Sequence, residues 1–460
     1  MNNQLIYPTV DLFLYDLGNG LGQSSKKIAQ NRQRFWQRIY QDNLSEQKLT
    51  QLQAEEGTFS SYIELLGTQR VEYFKHPLDG YYYPVKLGDT YALQIDCAGK
   101  ENDQDWEQLS TVEQLEQLKE IVLNHTHNLP GEMGQTWLIW GKLANPSQYP
   151  ETIAKEYYQA LTIVPKPKWQ RDCKGKGTFQ GATIFELEQP DKTPDGFNRN
   201  YHIIICLFPY NQTEEQIEKT IGKLYRHFIR LFHYRNKILW VYEQSRQLKD
   251  TLKKTYSTIQ KIVNFLPQHL ASSYINLNQL QQNLADTLSA SYQYETRLVS
   301  LHTQISTIET NVKNYQSRIQ VMAKADANSD LTFLERFGEF AQDKYLNQIN
   351  TDYQTLNASL KSLDNFIKTI EGIINIEKTK NERTLNKTLA IASVGISTAS
   401  LAASTLTEQA EGIVKTIPFI PPNQINLWAF CSSFLLSLLI GLIGAAITCN
   451  CLNKGNKQGK

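Results

Sequence analysis

The sequence predicts an α+β or α/β cytosolic domain, then a long antiparallel coiled-coil stalk and a C-terminal hairpin of two transmembrane helices. Three observations predict this fold class: alternating strand and helix patterns, two heptad runs, and two charge-free stretches near the C-terminus. The corresponding domains are residues 1–240, 241–387 and 388–449, followed by a basic cytosolic tail at 450–460.

The composition allows several structural units and argues against a general nucleic-acid binder. The chain has 460 residues, with 47 lysines and arginines against 46 aspartates and glutamates. Nucleic-acid-binding domains normally carry a basic excess, so no nucleic-acid partner is expected. The first ten residues lack a basic segment followed by an apolar one, so no signal peptide is predicted.

The N-terminal domain alternates between two patterns. Runs of β-branched and aromatic residues predict strands at Leu5–Leu17, 71–76, 90–97, 136–142, 182–187 and 201–208. Helical patterns lie near 25–42, 111–124, 151–161 and 214–236. Two stretches rich in proline, glycine and charge, 166–177 and 189–198, are predicted to be solvated loops.

A glycine-rich segment follows the first predicted strand. Gly18, Gly20 and Gly22 have GxGxG spacing, which differs from the GxGxxG of dinucleotide-binding loops and lacks the ending of a Walker loop. A plain connection is the main interpretation, and a phosphate-binding loop is the alternative. A tethered enzyme would rest on this loop alone. Because no spacing indicates a nucleophile–base pair or two poised carboxylates, the chain is not predicted to be an enzyme.

Two groups of polar residues also have two interpretations each. His125, His127 and Glu132 could form a metal site, but their sequence context favours a helix C-terminus that enters a turn. A basic helix end could contact acidic lipid or another subunit, although a solvated face is favoured. Its residues are Arg226, His227, Arg230, His233, Arg235 and Lys237.

Two heptad runs predict the stalk. Apolar a and d positions recur from Leu277 to Ile319 and again from Ile349 to Ile374. Turn-forming residues at 324–330 separate the runs, so the two helices are predicted to fold back antiparallel. An ordinary buried helix bundle would show similar seams, so the heptads predict architecture and not activity.

Two charge-free stretches, residues 388–406 and 427–449, predict the membrane hairpin. At ~1.5 Å per residue they would span roughly 28 and 34 Å, enough for a ~30 Å hydrocarbon core. Basic residues precede the first span and follow the second, and the loop that connects the two spans is acidic. The positive-inside rule therefore predicts that both termini lie in the cytosol. The predicted location of the protein is an inner or plasma membrane.

The first span is rich in small and polar residues. Four serines form one stripe along this helix and are candidates for lining a pore, namely Ser393, Ser397, Ser400 and Ser404. An inner ring of such helices would require several subunits. The alternatives are a lone hairpin, whose serines bond to their own helix carbonyls, and a soluble first segment. Glu408 and Glu411 in the loop could attract cations as a ring, or be ordinary solvated carboxylates.

The order of these parts resembles the CorA-like superfamily of magnesium and other divalent-cation transporters. The resemblance is clearest over residues 277–449, where residues 381–387 lead from the stalk into the first span. It implies a homo-oligomer, a pentamer in that family, whose first membrane helices line the pore. The family's Gly-Met-Asn signature is absent, and residues 402–408 read AASTLTE in its place. No magnesium-binding residue can therefore be carried over.

The resemblance implies an oligomeric membrane protein that acts as a cation channel or transporter gated by its cytosolic domain. The alternative is a non-conducting, membrane-anchored scaffold or signalling effector that reuses this architecture. No cofactor is predicted beyond a divalent cation such as magnesium. The membrane and further copies of the chain are the expected partners.

Overall fold

The computed structural model describes residues 4–55, 60–98, 109–192, 198–271 and 277–380. These residues fall into two compact units, which are divided at residues 264, 288 and 363. The first unit holds the sheet and most of the long helices. The second is helical where it is described.

The first unit is built on a mixed sheet. Its strands are β1 (Leu5–Leu17), β2 (Ile63–Glu64), β3 (Glu72–Phe74), β4 (Gly80–Leu87), β5 (Thr90–Ala98), β6 (Leu109–Ser110), β7 (Gly134–Leu143), β8 (Cys173–Phe179), β9 (Ala182–Lys192) and β10 (Asn198–Phe208). The order is β2-β4-β5-β1-β7-β10-β9-β8, with β3 paired to β4 and β6 to β1. Described neighbours are antiparallel, except that β7 and β10 are parallel.

The helices divide into short and long ones. The short helices are α1 (Ser25–Tyr40), α2 (Glu46–Glu55), α3 (Val112–His125), α4 (Pro150–Ala160) and α5 (Trp169–Asp172). The long segment contains α6 (Glu214–Ala271), α7 (Leu277–Ala325), α8 (Thr332–Phe340), a π-helical turn (Ala341–Leu346) and α9 (Asn347–Lys380). Helix α6 begins well before residue 240 and continues through it without a break.

Both faces of the sheet are buried, which explains the nearly continuous apolar sequence of β1. Leu12 and Leu14 face a core that includes Trp36 of α1 and residues of α3 and α4. We call this side the short-helix face. Phe13 faces the opposite core, where its ring lies 5.3 Å from that of Phe232 in α6. We call that side the long-helix face, and the polar groups described below belong to it.

Helices α7 and α9 are antiparallel within the first unit. Tyr294 of α7 donates a hydrogen bond of 2.8 Å to the carbonyl of Leu356 in α9, and both residues occupy predicted heptad positions. Nearer the turn, Tyr315 donates to the carbonyl of Leu334 in α8 at 3.0 Å. Both tyrosine side chains are fully buried, so the hydroxyl groups link the helices inside an apolar seam.

The described part of the second unit has a small apolar core of its own. Four heptad residues are buried together, Leu284, Ile367, Ile370 and Ile374, with Leu288 and Phe366 packed against them. The spacing of three and four residues along α9 places its three isoleucines on one side of the helix. This core therefore continues the heptad pattern.

The membrane part of the predicted fold class is wrong for the described residues. No helix among them is long and apolar enough to cross a bilayer. The physical reason is that their long helices intersperse charged side chains, whereas a span requires about 20 mainly apolar residues. The two predicted spans, 388–406 and 427–449, lie outside the described residues. The same finding contradicts the predicted inner- or plasma-membrane localisation with cytosolic termini.

Candidate functional site: a buried carboxyl pair

Two aspartates lie side by side on the long-helix face of the sheet. Asp11 of β1 is the direct antiparallel partner of Asp96 of β5, so their side chains leave the sheet next to each other. Asp11 is completely buried and Asp96 is 8% exposed. Two acidic side chains in such a position require an explanation, because buried carboxylates are rare unless they are paired with a cation.

Neutral groups hold this pair. Gln94 donates from Nε2 to Oδ1 of Asp11 at 2.8 Å. The hydroxyl of Tyr225, from α6, lies 3.0 Å from Oδ2 of Asp11 and 2.8 Å from Oδ2 of Asp96. Trp140 of β7 donates its indole N–H to the same hydroxyl at 2.9 Å. Tyr225 therefore joins helix α6 to three strands of the sheet.

The environment favours a proton on the pair. Burial raises the pKa of Asp11 well above its ordinary value, and the neighbouring charge of Asp96 raises it further. Burial also raises the pKa of Asp96. The pKa of Tyr225 is raised as well, by burial and by the two carboxyls, so this residue stays a neutral donor. One proton shared by the two aspartates at neutral pH is consistent with these directions.

A pair of carboxyls can perform acid–base chemistry or bind a cation. Hydrolytic pairs hold a nucleophilic water between the two carboxyls. Here the Tyr225 hydroxyl lies at hydrogen-bond distance from an oxygen of each, which is the place that such a water would occupy. The arrangement in this structure therefore suits binding better than hydrolysis.

A second chain of polar groups crosses the long-helix face nearby. Asn236 of α6 donates to Oγ1 of Thr136 at 3.2 Å, and that hydroxyl lies 3.0 Å from Nδ1 of His202. Nε2 of His202 lies 3.0 Å from Oε1 of Glu186. Burial keeps the pKa of His202 well below its usual value, so the neutral ring donates from Nε2 and accepts at Nδ1.

The order hydroxyl, imidazole, carboxylate is the one that activates a nucleophile in hydrolases. Thr136, His202 and Glu186 are 0%, 1% and 4% exposed, respectively. A substrate could not reach the hydroxyl in this arrangement. We therefore interpret these linked side chains as a buried hydrogen-bond network that holds α6 on the sheet.

The basic end of the predicted helix 214–236 packs into the protein. Arg235 is 1% exposed, lies 3.0 Å from a carboxylate oxygen of Glu188, and stacks 4.7 Å from the ring centre of Phe337. His233 contacts Thr90, and Lys237 pairs with Asp89. The interpretation as a solvated face is wrong for these three basic residues, because α6 continues across the sheet and turns them inward.

The glycine-rich segment is held by hydrogen bonds to neighbouring parts of the fold. The amides of Gly18 and Asn19 donate to the carbonyl of Asp89 at 2.8 and 3.2 Å, and the amide of Gly20 donates to Gln23 at 2.9 Å. Asn31 of α1 donates to the carbonyl of Gly18 at 3.0 Å. Donors that would cradle a phosphate are thus used within the chain, as expected for a plain connection.

The two histidines and Glu132 do not converge. The ring of His125 stacks on Phe74 at 3.8 Å, and its Nδ1 lies 2.8 Å from the Tyr82 hydroxyl. Glu132 pairs with Arg34. Within the described residues, no group of three histidine, cysteine or acidic side chains could hold a metal ion.

The predicted pore-lining serines, Ser393, Ser397, Ser400 and Ser404, and the loop residues Glu408 and Glu411 lie outside the described residues. The carboxyl pair was missed by the sequence analysis. A signal for it exists, since Asp11 and Asp96 are charged residues within two predicted strands that are otherwise largely apolar. The sequence could not show that these two acids face each other, because this depends on the register between β1 and β5.

The chain matches no protein-family model, no curated protein and no solved structure. The resemblance to the CorA-like superfamily therefore stays a prediction, as do the homo-oligomer and the absence of enzymatic activity. The predicted ion transport, with magnesium as its cargo, is contradicted. It required membrane-spanning helices, of which the described part of the chain contains none, and no family match supports it.

Proposed function

We propose that this chain is a non-enzymatic effector in which the sheet domain responds to what is bound at the carboxyl pair and helix α6 carries the response. The proposal keeps the signalling effector that the sequence offered as an alternative function, but not the membrane anchor that accompanied it. The observation that supports it is the position of the Tyr225 hydroxyl, which bridges Asp11 and Asp96.

The coupling has a simple physical basis. If the pair loses its proton or gains a cation, its charge and hydrogen-bonding capacity change. The contact with Tyr225 then strengthens or weakens. Because Tyr225 belongs to a helix that runs from Glu214 to Ala271, a shift at this contact displaces residues far along the same element.

The test compares amide hydrogen exchange along α6 in the wild type and in Asp96→Asn. The substitution keeps the shape of the side chain and removes its titration. We expect exchange to change at least ~3-fold near Tyr225 and also along residues 241–264. Tyr225→Phe, which removes only the hydroxyl, should change the same segments.

Asp172→Asn is the matched control. Asp172 is also a buried aspartate, but it pairs with Arg171 and accepts hydrogen bonds from Tyr158 at 2.7 Å and from the amide of Lys168 at 2.8 Å, away from α6. It should leave α6 exchange unchanged. Altered exchange confined to residues near Tyr225 in Asp96→Asn would contradict the proposal.

A further inference from the structure

The carboxyl pair lacks a cation among its described hydrogen-bond partners. Asp11 and Asp96 are bound by Gln94, by Tyr225 and by each other, and Tyr81 of β4 also hydrogen-bonds to Asp96. We propose that the pair is a recognition site for an organic cation, a primary ammonium or guanidinium group, which binds in exchange for the shared proton. The inference rests on the proposed function, for which it names the ligand class.

An unpartnered hydroxyl beside the pair supports a ligand. Thr9 precedes Asp11 by two residues in β1, so both side chains leave the same face of the sheet. Thr9 is fully buried, and its Oγ1 has no hydrogen-bond partner among the described residues. A buried hydroxyl without a partner is costly, and one beside two carboxyls is a further acceptor for a donor-rich cation.

The surrounding rings favour an organic cation over a hard metal ion. Trp140 lies directly opposite Thr9 in the neighbouring strand, and Tyr7 lies 5.8 Å from its ring. Aromatic faces attract ammonium and guanidinium groups. Ca²⁺ and Mg²⁺ take six or more oxygen ligands, often including water. Among the described residues, no third acidic, histidine or cysteine side chain joins Asp11 and Asp96 to complete a metal site.

The exposed parts of the side chains around the pair set where a cation would have to enter. Asp11 is inaccessible, Asp96 is slightly exposed, and Tyr225 and Tyr81 beside them are partly buried. An entering cation would take the position of the Tyr225 hydroxyl and accept no hydrogen bond from it. Tyr225 would then leave the pair, and α6 would move with it. Binding of the ligand and movement of α6 are therefore coupled, because both require displacement of the Tyr225 hydroxyl.

Calorimetric titration of the full chain tests the exchange directly. The probes are propylamine and methylguanidine, with 1-propanol as the neutral control and magnesium chloride as the metal control. Titrations at about pH 6, 7 and 8, in buffers of different ionisation enthalpy, count the protons released. We expect one cation to bind with release of about one proton, and affinity to rise up to ~10-fold per pH unit. 1-Propanol and magnesium chloride should show no binding in the same titrations.

Three substitutions separate the site from general effects. Asp96→Asn should weaken binding roughly 10- to 100-fold because it removes one of the two carboxylates, whereas Asp172→Asn should leave binding unchanged. Thr9→Val should weaken binding roughly 3- to 10-fold, yet raise the melting temperature, because it removes the unpartnered hydroxyl without changing the side-chain shape. A purely structural role for Thr9 would not produce these opposite changes.

Two results would overturn the inference. One is the absence of binding by either cation up to about 10 mM in the folded protein. The other is binding that Asp96→Asn leaves unchanged. If α6 exchange still responds to Asp96→Asn in those cases, the proposed function stands and only the ligand class is wrong. If α6 does not respond while cations bind, the site exists without the proposed coupling.

Discussion

Several side chains that can titrate are buried on the long-helix face of the sheet. Glu186 is an example with a defined pH range. Burial raises its pKa from 4.5 to about 7, although the nearby charge of Arg235 acts in the opposite direction. Between these values the folded chain holds a proton that the unfolded chain has lost. The free energy of unfolding must therefore fall as the pH rises through this window.

Glu186→Gln tests this dependence. Glutamine retains an acceptor for Nε2 of His202 but cannot titrate. Up to about 3 kcal/mol of the pH-dependent loss between about pH 5 and 8 should disappear in the variant. Urea unfolding at several pH values measures it. Asp172→Asn is the control, because the pKa of Asp172 is lowered and its titration lies below the window. An unchanged pH slope in Glu186→Gln would refute the assignment.

At the scale of single elements, strand β8 shows how a loop-like sequence becomes part of a sheet. Gly175 and Gly177 leave one side of β8 bare, and Phe333 of α8 packs there. A Cβ at Gly175 would lie 2.5 Å from Cβ of Phe333. Thr178 and Asp330 also exchange two backbone hydrogen bonds, of 2.9 and 3.0 Å. The segment that leads into α8 thus covers the edge of the sheet.

Gly177→Ala should therefore destabilise the protein. The added methyl group would lie 2.6 Å from the Phe333 ring and would also meet the carbonyl of Asp330. We expect a loss of about 2 kcal/mol in the free energy of unfolding, measured in urea. The matched control is Gly222→Ala in α6, where the added methyl group would have no neighbouring atom within 4 Å outside its own stretch of helix. It should stabilise by up to about 1 kcal/mol, since alanine is the better helix former. Equal effects of the two would contradict the packing argument.

At the scale of the whole molecule, α6 is the element that links the polar groups of the first unit. It contacts the sheet through Tyr225 and Arg235, and α9 through Arg246 and Lys249. Both of the latter pair with Asp352, whose carboxylate lies 2.6 Å from the Lys249 amine. Hydrogen bonds from these two residues help to lower the pKa of Asp352 against the effect of burial.

Asp352→Asn should loosen α6 from α9. It leaves two partly buried cations without their carboxylate, so we expect a loss of about 1–3 kcal/mol, discounted for their partial exposure. Asp364→Asn on the same helix is the control. Its pair with Lys368 is exposed, at 3.9 Å, and should contribute under about 0.5 kcal/mol. Urea unfolding measures both, and similar losses would contradict a specific role for Asp352.

The sequence by itself determined the elements with a regular local pattern. A run of apolar, β-branched and aromatic residues was sufficient for β1, whose bounds match the prediction, and the heptads identified most of the buried residues of α7 and α9. These patterns are local, because each residue's side is set by its distance along the strand or helix.

The tertiary structure alone decided the rest. Asp11 and Asp96 meet only because β1 and β5 pair in one register, and a shift of one residue would separate them. Arg235 is buried because α6 crosses the sheet, and β8 is a strand because Phe333 occupies the space of two missing side chains. Each depends on contacts between residues far apart in the chain, which no local pattern encodes.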